Sequence, residues 1–413
     1  MIKRVSFAFF SKVSVAAMNL VLTVLLSRYL GPSGKGLAAL LVTNIALMLL
    51  FFNLMGGATL VFLAPRYPIK KLLLLGYAWT ILLAPLLCLI ASTFNIIPTN
   101  YLFQIGILAI LDSFLGIQNN LLMGKEKVKL VNTITFLRAL TNVICLVGFF
   151  QFTVQPSIHH FLTALLIGYS VTVTVGIIAL LPLLRQHLSI EMPEFNWYIM
   201  GKKALELGFT NQIAHVVQFA NLRLSYFLLT HYAAHETSGL GVYSNGVALS
   251  ESVWMISNSM AMIQFAKIAN SNDRKASIGL TNSMIRITFV LSAIALLTIL
   301  LVPSEVYVTL FGKGFEGIRS VLITLSPGIL FYSIVLLLDH YFSGIGKYRI
   351  NIWANLAGLV TTLAFSILLT NYFKNYNQIY AGVIASCSYA CNFFVLVYFF
   401  RQESKIILNE RPL

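Results

Sequence analysis

Residues 72–111 read LLLLGYAWTILLAPLLCLIASTFNIIPTNYLFQIGILAIL and contain no charged side chain. The hydrocarbon core of a bilayer is about 30 Å thick, and a helix of roughly 20 apolar residues crosses it. These forty residues are therefore long enough for two crossings. The polar segment Asn95–Asn100 lies between the two halves. The stretch predicts two transmembrane helices joined by a short turn.

The same pattern continues along the whole chain. Of 413 residues, 58% are hydrophobic and 10% are charged, against roughly 45–50% and 25% in soluble domains. The chain is therefore predicted to be an all-α polytopic membrane protein. About twelve transmembrane helices are expected at residues 6–29, 37–63, 72–94, 100–122, 128–151, 158–184, 203–230, 240–266, 280–302, 318–342, 350–372 and 378–400. The longest linker, about Arg185 to Lys202, leaves no room for a soluble catalytic domain, and we expect no enzyme.

The net charge of +15 is largely explained by topology. If the N-terminus is cytoplasmic, 20 Lys and Arg residues fall on the cytoplasmic side and 5 on the outer side. The remaining three, Arg138, Arg223 and Arg286, lie within spans. Because basic residues concentrate in cytoplasmic loops, both termini are predicted to be cytoplasmic. Basic residues distributed in this way do not indicate a nucleic-acid partner.

Two pairs of segments indicate an internal repeat. Residues 26–37 resemble residues 229–240 at an offset of 203, and residues 124–130 resemble residues 344–350 at an offset of 220. Since each half has six helices, the halves start on the same side and form a parallel pseudo-two-fold repeat, an arrangement suited to alternating access. The predicted organisation is a six-helix lobe at 1–190, a cytoplasmic linker at 191–202, and a six-helix lobe with a cytoplasmic tail at 203–413.

The connector between the first two helices carries a motif. Residues 27–36 read SRYLGPSGKG, with Ser27, Arg28, Gly31 and Gly36 at the main positions of an S-R-x-L-G-P-x-x-x-G pattern. The connector resembles the signature of polysaccharide repeat-unit flippases of the O-antigen, capsule and exopolysaccharide type. That family belongs to the multidrug/oligosaccharidyl-lipid/polysaccharide exporter superfamily. The second half departs from the motif, since His231 stands where the first half has its Arg.

The resemblance implies a transporter that moves a polyprenyl-diphosphate-linked oligosaccharide from the cytoplasmic to the outer leaflet of a bacterial inner membrane. It also implies a polysaccharide polymerase and a chain-length regulator as partners, no cofactor, and a conformational role for the connector. A cation-coupled multidrug exporter of the same superfamily is the closest alternative. A membrane polysaccharide polymerase or ligase is another, although the longest outer linker, about Val302 to Gly317, holds no recognisable catalytic set.

Polar side chains on helices 1 and 7 are candidates for binding an anionic substrate. At 100° per residue, Lys12 and Asn19 share one face of helix 1, and Asn211, His215 and Gln218 share one face of helix 7. The offset of 203 makes His215 equivalent to Lys12. The alternatives are that Lys12 extends to the cytoplasmic interface and that His215 bonds a neighbouring helix.

Helix 8 carries Glu251 and Asn258 on one face. Because neighbouring helices of a hairpin are antiparallel, Arg223 of helix 7 is the best partner for Glu251. Such a pair could line a substrate cavity or simply fix helix 7 on helix 8. Arg138 of helix 5 is the third candidate cation; it could bind substrate or extend toward the cytoplasm.

Asp112 and Asp339 are the other acids within spans. Intramembrane carboxylates often couple transport to Na⁺ or H⁺, although either could bond a neighbouring helix instead. The basic loops could attract anionic membrane lipids or the substrate's diphosphate, or serve topology alone. These loops are Lys70-Lys71, Lys125 to Lys129 and Lys202-Lys203.

Overall fold

A computed structural model describes residues 2–186, 197–232, 236–271, 273–373 and 376–409. Within them, the side chains of residues 2–10, 58, 210–211, 370–373 and 408–409 are outside the description. The described regular structure is helical. The helices are α1 (Ile2–Phe52), α2 (Gly57–Leu63), α3 (Ile69–Thr93), α4 (Leu102–Gly124), α5 (Val128–Phe152), α6 (Ile158–Gln186), α7 (Trp197–Tyr232), α8 (Ser238–Ala269), α9 (Arg274–Leu301), α10 (Ser304–Phe311), α11 (Ile318–Gly344), α12 (Arg349–Phe373) and α13 (Gln378–Asn409).

The predicted multi-pass architecture is confirmed. Nine helices in the described part of the chain are long and apolar enough to cross a membrane. The first of these segments, Ser11–Leu63, has 53 residues, or about 80 Å of helix at 1.5 Å per residue, which is enough for two crossings. The helices α7 and α8 have the lengths of spans, at 36 and 32 residues, but they hold many polar side chains.

The prediction of one continuous helix at residues 37–63 was wrong. The helix α1 ends at Phe52, a turn of 3₁₀ helix follows at Asn53–Met55, and α2 begins at Gly57. Gly57 has φ 52°, a left-handed conformation that glycine adopts without a Cβ clash. The indole Nε1 of Trp79 donates to the freed carbonyl oxygen of Phe51 at 3.1 Å, which supplies a partner that the broken helix lacks.

Other elements also differ from the predicted bounds, and α7 begins at Trp197, six residues earlier than expected. The helix α9 begins six residues earlier than expected, because the Asp273 carboxylate caps it by accepting from the Ala276 N–H at 3.0 Å. The helix α13 continues beyond residue 400 to Asn409. The short helix α10 lies in the linker between α9 and α11 and was not predicted.

The helices pack into two compact units. Unit 1 comprises Met1–Leu30 and Leu37–His215, and unit 2 comprises Gly31–Gly36 and Val216–Leu413. Each unit has a buried apolar interior. In unit 1, one cluster includes Leu41 and Leu108, and a second includes Leu72 and Leu121. The chain therefore leaves unit 1 for six residues at the motif connector and then returns to it.

The repeat at offset 220 is visible in the structure at the ends of α4 and α11. Equivalent residues there make the same backbone hydrogen bonds. In unit 1, the N–H of Lys127 donates to the Leu122 carbonyl at 2.9 Å, and in unit 2 the N–H of Lys347 donates to the Phe342 carbonyl at 2.8 Å. Glu126 and Gly346 occupy equivalent positions and both have positive φ, 59° and 79°. The two segments form the same helix-terminating turn, which supports the internal repeat at this offset.

A glycine in each copy allows this turn to pack closely on a neighbouring helix. A Cβ atom added to Gly124 would lie 2.6 Å from the Cβ of Ala64 and 2.8 Å from the Val61 carbonyl oxygen. A Cβ added to Gly344 would lie 2.9 Å from Cγ2 of Ile268. Helix contacts this close in membranes depend on small residues. The first glycine of each repeat segment is therefore a packing requirement.

Replacing Gly124 by Ala should lower the free energy of unfolding by about 1–3 kcal/mol, because the added methyl meets backbone atoms that cannot move independently. Gly116 lies two turns earlier on α4 with nothing within 4 Å of its added Cβ. Gly116→Ala should therefore leave stability unchanged or raise it by up to about 1 kcal/mol. Thermal unfolding of the purified protein in detergent measures both. Equal midpoints for the two variants would contradict this packing argument.

Candidate functional site

Unit 1 contains an ion pair between α4 and α5. Nη1 of Arg138 lies 2.6 Å from Oδ1 of Asp112, and the two side chains are 33% and 17% exposed. The guanidinium carbon of Arg138 also lies 5.1 Å from the centre of the Tyr169 ring on α6, within the range of cation–π attraction. Asp112 is thus engaged by a cation, and the arginine remains partly accessible.

Unit 2 contains the pair that the antiparallel hairpin suggested. Nη1 and Nη2 of Arg223 donate to Oε1 and Oε2 of Glu251 at 2.7 and 3.0 Å. This two-bond geometry matches the planar guanidinium to the planar carboxylate. The side chains are 26% and 24% exposed, and Tyr226 lies 5.3 Å below the guanidinium. The pair links α7 to α8 within unit 2.

Large aromatic side chains pack together in unit 2 beside this pair. The Tyr332 ring lies 4.6 Å from Trp254 and 4.9 Å from Tyr389, centre to centre. Nε2 of Gln218, one of the candidate binding residues, donates to the Tyr332 hydroxyl at 3.2 Å. Tyr332, Tyr389 and Trp254 are at most 6% exposed. They therefore support α7 and α8 from inside the unit and are not available to solutes.

The two ion pairs use different helices of the repeat. At offset 220, Gly358 of α12 stands where unit 1 has Arg138, and Tyr332 stands where unit 1 has Asp112. A Cβ on Gly358 would lie 2.7 Å from Nδ2 of Asn221, so the α7 amide occupies the space of an α12 side chain. Unit 2 takes its arginine from α7 instead.

The tyrosine beside each pair is shared by the repeat. Tyr169 of unit 1 and Tyr389 of unit 2 differ by 220 positions, and each lies near its unit's ion pair. Neither was selected from the sequence. An alignment of the halves at offset 220 would have matched the two tyrosines. That alignment could not have shown that each tyrosine lies near an arginine, because Arg138 and Arg223 do not occupy equivalent positions of the repeat.

Several predicted site residues lie on exposed faces of their helices. Lys12, Asn19 and His215 are exposed. Asn211 lies within α7, but its side chain is outside the described residues. For Asn258 the predicted stripe differs from the packed face: Asn258 is exposed, while the preceding residue, Ser257, is fully buried.

The buried face of α8 follows the contacts with its neighbours. The Trp254 indole donates to the Ile329 carbonyl at 3.2 Å, and Nε2 of Gln264 donates to the Thr281 hydroxyl at 3.0 Å. Ser250, Ser257 and Gln264 repeat at seven-residue spacing along this face, and all are fully buried. Spacing alone could not distinguish this stripe from the adjacent one with Glu251.

Asp339 lies near the end of α11 without a cation. Its Oδ1 atom is buried and has no hydrogen-bond partner among the described residues. The backbone oxygen of the same residue accepts from Nδ2 of Asn351 at 2.9 Å. Of the three acids singled out above, Asp339 differs from Asp112 and Glu251 in having no arginine bonded to it in the described structure.

The motif connector packs within unit 2. Gly31 has φ 65° and turns the chain, after which the Thr237 hydroxyl donates to the Ser33 carbonyl at 2.7 Å. A Cβ on Gly36 would lie 1.8 Å from the Thr237 carbonyl oxygen, and one on Gly241 would lie 1.9 Å from the Pro32 carbonyl oxygen. Backbone meets backbone here, so glycine is required on both sides.

A second contact secures the same connector. A Cβ on Gly314 would lie 2.7 Å from Cγ of Pro32. The Gly314 turn is held by Glu316, whose carboxylate accepts from the Gly314 N–H at 3.1 Å. Bonds from the backbone N–H groups of Glu316 itself and of Gly314 lower the pKa of the Glu316 carboxyl. Ser27 bonds its own helix through the Thr23 carbonyl at 2.8 Å, and Arg28 is exposed.

Gly36→Ala should displace the connector from α8 and lower the thermal midpoint, with a loss of at least about 1–3 kcal/mol in stability. Gly279→Ala is the matched control, because it makes the same change in helix α9 of the same unit and nothing lies within 4 Å of a Cβ at Gly279. It should retain most of the stability. Differential scanning fluorimetry compares the two, and a Gly36→Ala midpoint equal to wild type would refute the close packing.

No family model matches the chain, and no curated protein sequence is similar to it. Solved structures do share its fold. An inward-facing multidrug resistance transporter of the MATE family, in the MOP superfamily, superimposes with a TM-score of 0.71 at 14% identity, covering 96% of each chain. The lipid II flippase MurJ, in an inward closed conformation, gives 0.74 at 15% identity, covering 99% of this chain and 91% of that one.

A third structure is a MOP superfamily transporter from Pyrococcus furiosus, described as having a binding pocket of reverse polarity that suggests a different function. Its TM-score is 0.67 at 14% identity, with coverage of 98% and 95%. A MATE transporter with this fold is also known in an outward-facing conformation. These four are transporters or flippases, not enzymes. The chain has the fold of MOP superfamily transporters.

Proposed function

We propose that the protein is a flippase that moves a polyprenyl-diphosphate-linked oligosaccharide from the cytoplasmic to the outer leaflet by alternating access. The observation that carries the proposal is that each unit holds a partly accessible arginine paired with a carboxylate, Arg138 in unit 1 and Arg223 in unit 2. Arginine binds phosphate through two parallel N–H bonds. The diphosphate of the substrate offers groups of this kind.

The paired carboxylates explain how these arginines persist without substrate. An unpaired charge in hydrocarbon is costly, so Asp112 and Glu251 neutralise the arginines in the empty protein. Arg138 uses one terminal nitrogen on its carboxylate, which leaves further N–H donors for a phosphate. Arg223 uses two nitrogens, and a phosphate would compete with Glu251 for them. The carboxylates thus act as internal counter-ions.

Other candidate residues extend the proposal to the oligosaccharide. Lys12, Asn19 and His215 are exposed, and Gln218 is half-buried. Together with Asn211 and Asn258, they would offer amide, ammonium and imidazole N–H groups. Sugar hydroxyls and phosphates can accept hydrogen bonds from these donors. In this proposal the protein works in a bacterial inner membrane, with both termini cytoplasmic, beside a polysaccharide polymerase and a chain-length regulator.

The second candidate is a cation-coupled multidrug exporter, since a MATE transporter shares the fold. The observation that favours it is Asp339, whose Oδ1 has no partner among the described residues. A carboxylate in that state could take up H⁺ or Na⁺ as a coupling ion. The same group could energise a flippase, so its removal alone does not separate the two functions.

Arg138→Gln and Arg223→Gln should each reduce flipping of a labelled polyprenyl-diphosphate sugar in proteoliposomes by about tenfold or more, because each removes charge-assisted bonds to phosphate. Arg286→Gln is the matched control: Arg286 is an exposed arginine of the α9 span, and its variant should retain near-normal flipping.

Deletion of the gene separates the two candidates in cells. The flippase proposal predicts loss of a surface glycan and accumulation of its lipid-linked repeat unit on the cytoplasmic side. A normal surface glycan with increased sensitivity to cationic dyes would support the drug exporter and refute the flippase.

A further inference from the structure

A nearly buried acid lies at one corner of unit 2. This corner is formed by the start of α9 and the ends of α11 and α13. Glu403 of α13 has a side chain that is 9% exposed. Its Oε1 accepts from Nη1 of Arg274 at 3.1 Å, and its Oε2 accepts from Nζ of Lys347. Arg274 opens α9, and Lys347 belongs to the repeated segment after α11. Two cations therefore hold one carboxylate in this corner.

Unit 1 builds the same corner from equivalent backbone. Lys127 is the counterpart of Lys347, and the turn around each has the same hydrogen bonds, including Leu130 N to Lys127 O at 3.0 Å and Ile350 N to Lys347 O at 3.1 Å. At offset 220, the counterpart of Glu403 is Leu183. The acid is missing from unit 1, and the lysine is retained.

The cations of this corner are exposed. Lys127 is exposed and forms no ion pair with any residue that the structure describes. Lys70, near the start of α3, and Arg66 are also exposed. Arg66 follows the α2 segment against which Gly124 packs, so the turn with Lys127 and the basic segment after α2 lie at the same end of the unit.

The residue in place of the acid is apolar and belongs to the hydrophobic side of this corner. Leu183 and Leu184 are half-buried and pack against the cluster that includes Leu180 and Met200. The corner therefore combines exposed cations with a partly exposed leucine surface. A free phosphate would use only the cations, whereas a phospholipid uses both, with its phosphate on lysine and its acyl chain on leucine.

We infer that this corner of unit 1, formed by Lys127, Lys70 and Leu183, binds an anionic phospholipid of the cytoplasmic leaflet. The lipid phosphate takes the position relative to Lys127 that the Glu403 carboxylate has relative to Lys347. The charge asymmetry of the loops assigns this end of the unit to the cytoplasmic side. The inference does not depend on the transported substrate.

Native mass spectrometry of the purified full-length protein tests the site, with dioleoylphosphatidylglycerol as the probe and dioleoylphosphatidylcholine as the neutral comparison. The wild type should bind phosphatidylglycerol more tightly. Lys127→Gln should weaken that binding roughly fivefold, as expected for one lysine at a charged membrane surface. Leu183→Glu should weaken it at least as much, because the new carboxylate pairs with Lys127 as Glu403 pairs with Lys347.

Two controls separate this site from general charge attraction. Lys405→Gln removes an exposed cation of α13 and should leave phosphatidylglycerol binding within twofold of wild type. Leu183→Gln changes size and polarity without adding charge, and it should weaken binding less than Leu183→Glu. Equal binding of the two lipids by the wild type, or unchanged phosphatidylglycerol binding in both Lys127→Gln and Leu183→Glu, would overturn the inference. Equal losses in Lys127→Gln and Lys405→Gln would also overturn it.

Discussion

The cost of placing an unpaired polar or charged group in hydrocarbon governs this molecule. It makes the regular structure helical, because a helix bonds its own backbone. Where α1 ends at Phe52 inside the second crossing, the Trp79 indole supplies a donor to the freed carbonyl. The same cost explains why Arg138 and Arg223 each lie against a carboxylate. The pairing of each arginine with a carboxylate thus follows from the cost of an unpaired charge in the bilayer as much as from function.

Close backbone packing is the second organising feature. Gly36 and Gly241 allow the motif connector to reach α8, and Gly124 and Gly344 allow the repeated turns to reach their neighbouring helices. In each case a Cβ would fall within 3 Å of another atom. The motif that suggested a flippase family is therefore also a packing motif of unit 2.

The fold does not choose between a lipid flippase and a drug exporter, since solved examples of both share it. The distinction must come from side chains. Arginines held by internal carboxylates favour an anionic substrate, whereas the partnerless oxygen of Asp339 is the kind of group a coupling cation would use. The repeat adds a further asymmetry, because unit 2 pairs Lys347 with Glu403 and unit 1 has Leu183 at the position of the acid.

The sequence by itself determined the helical multi-pass architecture and the repeated segments, because apolar length and repeat spacing are properties of the chain read in order. It also suggested that Arg223 faces Glu251, since a hairpin brings neighbouring helices together. Only the tertiary structure decided that Asn221 fills the space at Gly358, that Ser257 rather than Asn258 is buried, and that Glu403 meets Lys347. These contacts join residues far apart in the chain or choose between adjacent helix faces, and helical periodicity carries no information about which neighbour a face will meet.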